Sequence, residues 1–163
     1  MTDIMYTKEV ALVGTNCKVF ADVLGAMLAD GMSVSAMVDF PERVMIEDSR
    51  LTVGHFDFDN YDRMKESFEG YHDVVLTYND DLEDHYTNDL TLRSFSKTVA
   101  AAREAGVARI VVVGSPDSEA FFVTDLRRMD GIDWVFVSTE GDFAGRVAEE
   151  VAEPSYHREV FVE

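Results

Sequence analysis

Short apolar runs that alternate with longer helical segments constrain the fold of this chain more than any other feature of its sequence. The runs are rich in Val, Ile and Leu at consecutive positions, which is typical of strands buried on both faces. Strands that alternate with helices of about ten or more residues predict a parallel sheet covered by helices on both sides. We therefore expect an α/β fold with a doubly wound parallel sheet, in a three-layer αβα sandwich.

Glycines punctuate this alternation, as at Gly14 after the first strand and Gly31 after the first helix. Strands are predicted at Glu9–Val13, Ser33–Val38, within Arg50–Phe58, and at Asp73–Thr77, Arg109–Val113, Asp133–Val137 and Val160–Val162. Helices are predicted at Cys17–Leu28, Tyr61–Phe68, Leu90–Ala105, Ala120–Met129 and Phe143–Val151. Because no linker or repeat interrupts this order, residues 1–163 are expected to form a single domain.

The charge balance excludes several classes of partner. The chain carries 32 Asp and Glu against 14 Lys and Arg, for a formal net charge of −18. Such a surface repels nucleic acids and anionic membranes, which are bound mainly through Lys and Arg. No run of about 18 apolar residues is present to span a bilayer, and the amino terminus lacks a signal-peptide pattern. We therefore predict no nucleic acid partner, no membrane partner and a cytoplasmic location.

Small ligands of doubly wound folds bind at the carboxyl ends of the strands, where the strand order reverses. The acidic segment Tyr78–Thr87 follows the fourth predicted strand and is expected to lie over this crevice. Its carboxylates and His85 are possible ligands of a divalent cation, but their spacing matches no recognised calcium loop. We favour a solvated loop and predict no metal site.

The turn after the first strand, Gly14–Phe20, reads Gly-Thr-Asn-Cys-Lys-Val-Phe. At this point the chain resembles the atypical short-chain dehydrogenases of the NmrA-like or NAD(P)H-binding type, whose first turn reads Gly-Ala-Thr-Gly-x-x-Gly. The resemblance extends over most of the chain and implies a Rossmann-like fold. It is carried further by Lys8–Gly14, Asp57–Met64, Ala105–Gly114 and Gly131–Ser138, the last with an Asp-Trp pair before a strand.

Two glycines of the family turn are replaced in this chain. Cys17 stands at the second glycine position and Phe20 at the third. A benzyl group there is expected either to push the helix from the sheet or to fill the space of a cofactor, whereas Cys17 crowds the approach to phosphate. The amides at the start of the helix remain suited to an anion, because the helix dipole does not depend on side chains.

The resemblance implies a dinucleotide site with three parts. Gly14, Thr15, Asn16, Cys17 and Lys18 would hold the diphosphate. Asp39, after the second strand, would hold the ribose diol and repel a 2′-phosphate, so NAD is predicted over NADP. Asp57 and Phe58 would flank the adenine. The alternative interpretations are a turn residue for Asp39 and a strand-end cap for Asp57.

Catalytic residues are not evident. Carbonyl-reducing short-chain dehydrogenases use a Tyr-x-x-x-Lys pair after the fifth strand, and Ser115–Asp130 contains neither residue type. Ser115 lies near the place where such enzymes carry a helper serine, although Ser115–Ser118 is interpreted more readily as a turn. Cys17, at a helix start, is either a reactive thiol of depressed pKa or, as we favour, a small packing residue.

Two functions remain open at this point. The first is dinucleotide binding, with weak or no Tyr/Lys catalysis. The second is a regulatory or protein-interaction domain that has lost the cofactor. Because few residues follow Ser138, an open site or one completed by a second subunit is expected. A homodimer would form through a sheet edge or a helix such as Leu90–Ala105.

Overall fold

Seven parallel strands form one sheet, in the order β3-β2-β1-β4-β5-β6-β7. The computed structural model describes residues 9–15, 17–78, 93–152 and 160–161. The strands are β1 Glu9–Gly14, β2 Ser33–Val38, β3 Leu51–His55, β4 Asp73–Thr77, β5 Arg109–Gly114, β6 Asp133–Ser138 and β7 Val160–Phe161. Every neighbouring pair is parallel, which confirms the predicted doubly wound fold.

Five α-helices cover the two faces of the sheet in the described part of the chain. They are α1 Lys18–Ala29, α2 Tyr61–Phe68, α3 Phe95–Glu104, α4 Glu119–Leu126 and α5 Phe143–Ala152. Short 3-10 helices, Pro41–Arg43 and Pro116–Ser118, follow β2 and β5. None of the described helices is long and apolar enough to cross a membrane.

Alternate residues of each central strand point into two separate cores. Ala11 and Val13 of β1 contribute to the core beneath α2, α3 and α4. Val10 and Leu12 contribute to the core beneath α1 and α5. A buried ion pair between Arg109 Nη2 and Glu150 Oε1, at 2.6 Å, also ties α5 to the start of β5. Both faces of the sheet are therefore fully used, as the apolar runs predict.

β3 departs from the prediction that the strands are buried. Leu51 is half-buried and the other four residues of β3 are exposed. The strand lies at the edge of the sheet, where few neighbouring groups are available to cover it. The predicted helix Ala120–Met129 is also displaced, because Pro116–Ser118 forms a separate 3-10 turn and the helix ends at Leu126.

Candidate functional site

The strand order reverses between β1 and β4. From β1 the chain passes through α1 on one face to β2, and from β3 it returns through α2 on the other face to β4. The carboxyl ends of β1 and β4, at Gly14 and Thr77, therefore lie side by side at the opening of a crevice. This is the position at which doubly wound folds bind ligands.

Gly14 and Thr77 are in direct contact at this point. The Thr77 hydroxyl donates a hydrogen bond to the Val13 carbonyl at 3.0 Å, across the two strands. A Cβ atom added to Gly14 would clash with the Thr77 hydroxyl oxygen and lie 3.2 Å from the Phe20 ring. Glycine is therefore required here by packing. The role of Thr77 is not evident from the sequence, because its partner is known only when β4 is placed beside β1.

The amino terminus of α1 follows this contact without a side-chain cap. Cys17 is the N-cap residue, in an extended conformation, and its side chain makes no capping hydrogen bond. The first helical bond runs from Ala21 N–H to the Cys17 carbonyl at 2.9 Å. The first turn contains no acidic residue. By contrast, α2 is capped by Asn60, whose side chain accepts from Arg63 N–H at 3.1 Å.

Phe20 lies inside the protein. Its side chain is 1% exposed and packs with Leu24 and Met27 in the core beneath α1. The edge of its ring faces Gly14. Phe20 therefore fills the space between the helix and the sheet, and α1 still buries its apolar face against the strands.

The Cys17 thiol is not activated. Burial raises its pKa above the ordinary value of 9.0, and the nearby Asp39 carboxylate acts in the same direction. The backbone amides of Phe20 and Val19 and the Thr15 hydroxyl oppose this shift without outweighing it. The alternative of a reactive thiol with a depressed pKa is therefore wrong, because desolvation dominates over the helix amides.

The remaining predicted residues follow three adjacent strands. Gly14 is in register with Val38, and Val38 with His55, so the first turn, Asp39 and the segment after β3 lie along one edge of the sheet. Asp39 is half-buried and accepts a hydrogen bond from Phe40 N–H at 3.0 Å. Its effect on the pKa of Cys17 places it close to the first turn.

Asp57 and Phe58 have structural partners of their own. Asp57 accepts a hydrogen bond from Asp59 N–H at 3.0 Å, within the turn that leads from β3 to α2. The Phe58 ring is buried and packs edge-on against Phe56, with 4.8 Å between centroids. Lys18 is exposed, and its ammonium pairs with Asp22 at 3.0 Å. Asn16 and most of the acidic segment, residues 79–87, lie outside the described residues.

An aromatic cluster closes the other side of the crevice. Tyr78, directly after β4, packs against Phe95 and Phe122 with centroid distances of 5.6 and 4.7 Å. Burial raises the pKa of Tyr78 far above its ordinary value.

Ser118 Oγ donates to the Ser115 carbonyl at 2.9 Å, which confirms that Ser115–Ser118 is a turn. Within the described ranges, no group of three or more His, Cys, Asp or Glu side chains is arranged to hold a metal.

The chain matches one known protein family, and its fold is shared by several proteins of known structure. The sequence profile of a family described as NAD(P)H-binding matches residues 14–130. A search of curated protein sequences finds no significant match.

Among solved structures, a candidate epimerase from Bacteroides thetaiotaomicron is 22% identical, with 95% of each chain covered and a TM-score of 0.77. The NADPH-dependent quinone oxidoreductase of Escherichia coli, in complex with NADPH, is 13% identical over 93% of this chain and 68% of its own, with a TM-score of 0.74. The triphenylmethane reductase of a Citrobacter species, in complex with NADP(H), is 16% identical over 94% and 68%, with a TM-score of 0.74. At sequence identities this low, the structural similarity shows only that the fold is shared.

Proposed function

Since this chain belongs to the NAD(P)H-binding family and is a Rossmann-fold protein that binds a nicotinamide dinucleotide, we propose that the dinucleotide lies across the carboxyl ends of β1, β2 and β3. The diphosphate lies at the start of α1, on the backbone of Gly14, Thr15, Asn16, Cys17 and Lys18. Loss of the cofactor, the alternative left open by the sequence, is not favoured by the family.

The observation that carries this proposal is the amino terminus of α1. The helix begins at the point where the strand order reverses, and its first turn has neither a side-chain cap nor an acidic residue. In a protein with a net charge of −18, such a turn is a favourable place for an anion. The amides at the start of a helix and the positive end of the helix dipole both attract phosphate.

Phe20 does not oppose this placement. The ring that replaces the third family glycine is buried beneath the helix, so it occupies the core side of the turn. Cys17 remains the residue that crowds the phosphate, because its half-buried side chain is at the helix start itself. We therefore expect binding with an affinity reduced by Cys17 rather than abolished by Phe20.

Asp39 supports NAD over NADP. Its carboxylate follows β2, beside the first turn, and is oriented by the Phe40 amide. A carboxylate accepts hydrogen bonds from a ribose diol and repels a 2′-phosphate. The proposal thus separates this chain from the E. coli and Citrobacter proteins, whose structures contain the phosphorylated cofactor.

Asp57 and Phe58 are proposed to flank the adenine from the end of β3. Phe58 would contribute a ring held in place by its packing against Phe56. Since Ser115–Asp130 contains no Tyr or Lys, we propose cofactor binding without carbonyl reduction by a Tyr/Lys pair. The cytoplasmic location and the homodimer stay predictions.

Thermal unfolding in the presence of NAD, NADH, NADP or NADPH tests the proposal. A ligand at 100 times its dissociation constant adds about 2.7 kcal/mol to the free energy of unfolding, which raises the melting temperature of a domain of this size by several degrees. We expect the larger shift with NAD or NADH. Absence of a shift with all four dinucleotides would contradict the proposed binding.

Replacement of Asp39 tests the choice of cofactor. Asp39→Asn removes the charge that repels a 2′-phosphate, so we expect NADP to bind about tenfold more tightly, as measured by calorimetry. Glu42→Gln is the matched control, because Glu42 is an exposed acid three positions further along the chain. Equal gains in both variants would indicate a general charge effect and remove the specific role of Asp39.

A further inference from the structure

β3 is a strand that buries no residue within the described part of the chain. Leu51 is half-buried, and Thr52, Val53, Gly54 and His55 are exposed. By comparison, five of the six residues of β1 and all of β4 and β5 are buried. A strand gains its stability chiefly from packing and from pairing on both edges. In the single chain β3 has little packing and only one neighbouring strand among the described residues.

The outer edge of β3 presents backbone groups to solvent. Phe56 N–H donates to the Val38 carbonyl at 2.8 Å, and the Arg50 carbonyl accepts from Val34 N–H at 2.8 Å. Because alternate residues of a strand direct their N–H and C=O groups to opposite sides, those of Val53 and His55 point away from β2. Leu51 N–H is used by the Asp48 carbonyl at 3.0 Å. No described strand lies on this side of β3.

This edge lacks the devices that normally prevent association. Exposed edge strands are usually protected by Lys, by Pro, or by a covering segment. The sequence of β3, Leu-Thr-Val-Gly-His, contains neither Lys nor Pro. The 3-10 helix Pro41–Arg43 contacts β3 beside the edge without covering its residues.

Exposed apolar side chains are concentrated in β3 and the segment that leads into it. Met45 and Ile46 of this segment border a cavity shared with Phe20 and Leu24 of α1, whereas Val53 belongs to β3 itself. Among the described residues five large hydrophobic side chains are exposed, and four of them lie between positions 40 and 53. They are Phe40 at 43%, Met45 at 84%, Ile46 at 37% and Val53 at 37% exposure. Val53 is thus an exposed apolar residue on an open strand edge, which is typical of a strand that pairs with a partner.

The local charge permits a second copy of this chain as the partner. Residues 40–55 contain three acids, Glu42, Glu47 and Asp48, against Arg43 and Arg50, which gives −1 of the total −18. Most faces of two such chains repel each other. Repulsion is therefore weak where the two β3 segments would meet.

We propose that two copies of this chain pair through β3, antiparallel and about a two-fold axis at Val53. In this register the two Val53 residues exchange both of their outward hydrogen bonds, and each His55 N–H meets the carbonyl of Leu51 across the axis. Thr52 lies opposite Gly54, so no like charges face each other within the pair. The interface is self-complementary, as a two-fold dimer requires, and it joins the two sheets into one.

The experiment is sedimentation velocity on the full chain at micromolar concentrations, in low and high salt. We expect a mass twice the 18.3 kDa of the chain, with tighter association in high salt because salt screens the acidic surfaces. Val53→Pro removes an outward N–H without touching the bonds to β2 and should weaken the dimer about tenfold or more. Val53→Thr, which keeps the N–H and the strand propensity, should remain a dimer.

Two further variants keep the test decisive. Val53→Lys retains the backbone N–H but places two ammonium groups opposite each other, so it should also give monomers if Val53→Pro fails to fold. Phe121→Ser removes the fifth exposed hydrophobic residue, which lies on α4, and should leave the dimer intact. A monomeric wild-type chain in high salt, a dimeric Val53→Lys variant, or a dimer lost only with Phe121→Ser would each overturn the proposal.

Discussion

Two turns of this protein use the same packing with different electrostatics. β1 and β5 both end in a glycine that contacts a phenylalanine of the following helix: a Cβ at Gly14 would lie 3.2 Å from Phe20, and one at Gly114 would lie 2.9 Å from Phe122. The first turn leads directly to α1 and has no acid in its first helical turn. The second passes through Pro116–Ser118 to α4, with Glu119 in its first turn.

The comparison separates two roles of a strand-end glycine. In both turns glycine allows an aromatic ring to pack beneath the chain, so the residue by itself does not indicate a phosphate site. The difference lies in charge, because Asp117 and Glu119 already occupy the positive end of the helical segment after β5. An uncapped first turn without an acid is therefore the feature that favours a dinucleotide at α1.

The largest expected effect is the loss of either ring. Phe20→Ala and Phe122→Ala each remove a side chain with at most 1% exposure and should lower the free energy of unfolding by about 3–5 kcal/mol. Urea denaturation measures both. Equal losses would confirm the shared packing role, whereas a small loss for Phe20→Ala would show that its ring fills little of the core.

Phe20 also bears on the cofactor. If its ring obstructed the dinucleotide, shortening the side chain would strengthen binding. With the ring buried beneath α1, we expect binding at low temperature to be unchanged or weaker in Phe20→Ala. Tighter binding of NAD to this variant would show that Phe20 and Phe122 do not have the same role, because it would place the Phe20 ring in the cofactor groove.

A smaller effect is expected from adding one methyl group at the first turn. Gly14→Ala creates a clash with the Thr77 hydroxyl and should destabilise the protein by about 1–3 kcal/mol, with loss of dinucleotide binding. Gly25→Ala is the matched control in α1, since nothing lies within 4 Å of its added Cβ. It should stabilise the helix by about 0.5–1 kcal/mol. A neutral Gly14→Ala variant would contradict the close contact with Thr77.

The sequence predicted the strands and helices that flank these two turns, and part of the side-chain packing within them. Apolar runs such as the one from Trp134 to Val137 reveal strands because burial on both faces leaves no polar position. The direction of Phe20 was also encoded, since it shares a helical stripe with Val23, Leu24 and Met27. The contact between Gly14 and Thr77 could not be predicted, because it depends on which strands are neighbours. The exposure of β3 was missed for the same reason.

The electrostatic half of the comparison is tested by giving α1 the charge found in α4. Lys18→Glu places an acid in the first turn, as Glu119 does, and should weaken NAD binding about two- to fivefold, since a charge beside a helix terminus contributes about 0.3–1 kcal/mol. Lys18→Gln is the control that removes the cation without adding an anion. Because Lys18 is exposed, either change should alter the melting temperature by no more than about 4 °C. Identical affinities in both variants would show that charge in this turn does not select the ligand.

The smallest effect concerns the thiol at the start of α1. Because burial raises the pKa of Cys17 above 9.0, the folded protein holds the thiol proton at pH values where the unfolded chain releases it. The associated stability is complete below pH 9 and declines as the pH rises above that value. Cys17→Ser should remove this part of the decline, as measured by urea denaturation across the alkaline range, and iodoacetamide should modify Cys17 slowly at neutral pH. Rapid modification at neutral pH would mean that the helix amides outweigh burial at this turn, and the same amides would then be the stronger candidates for holding a diphosphate.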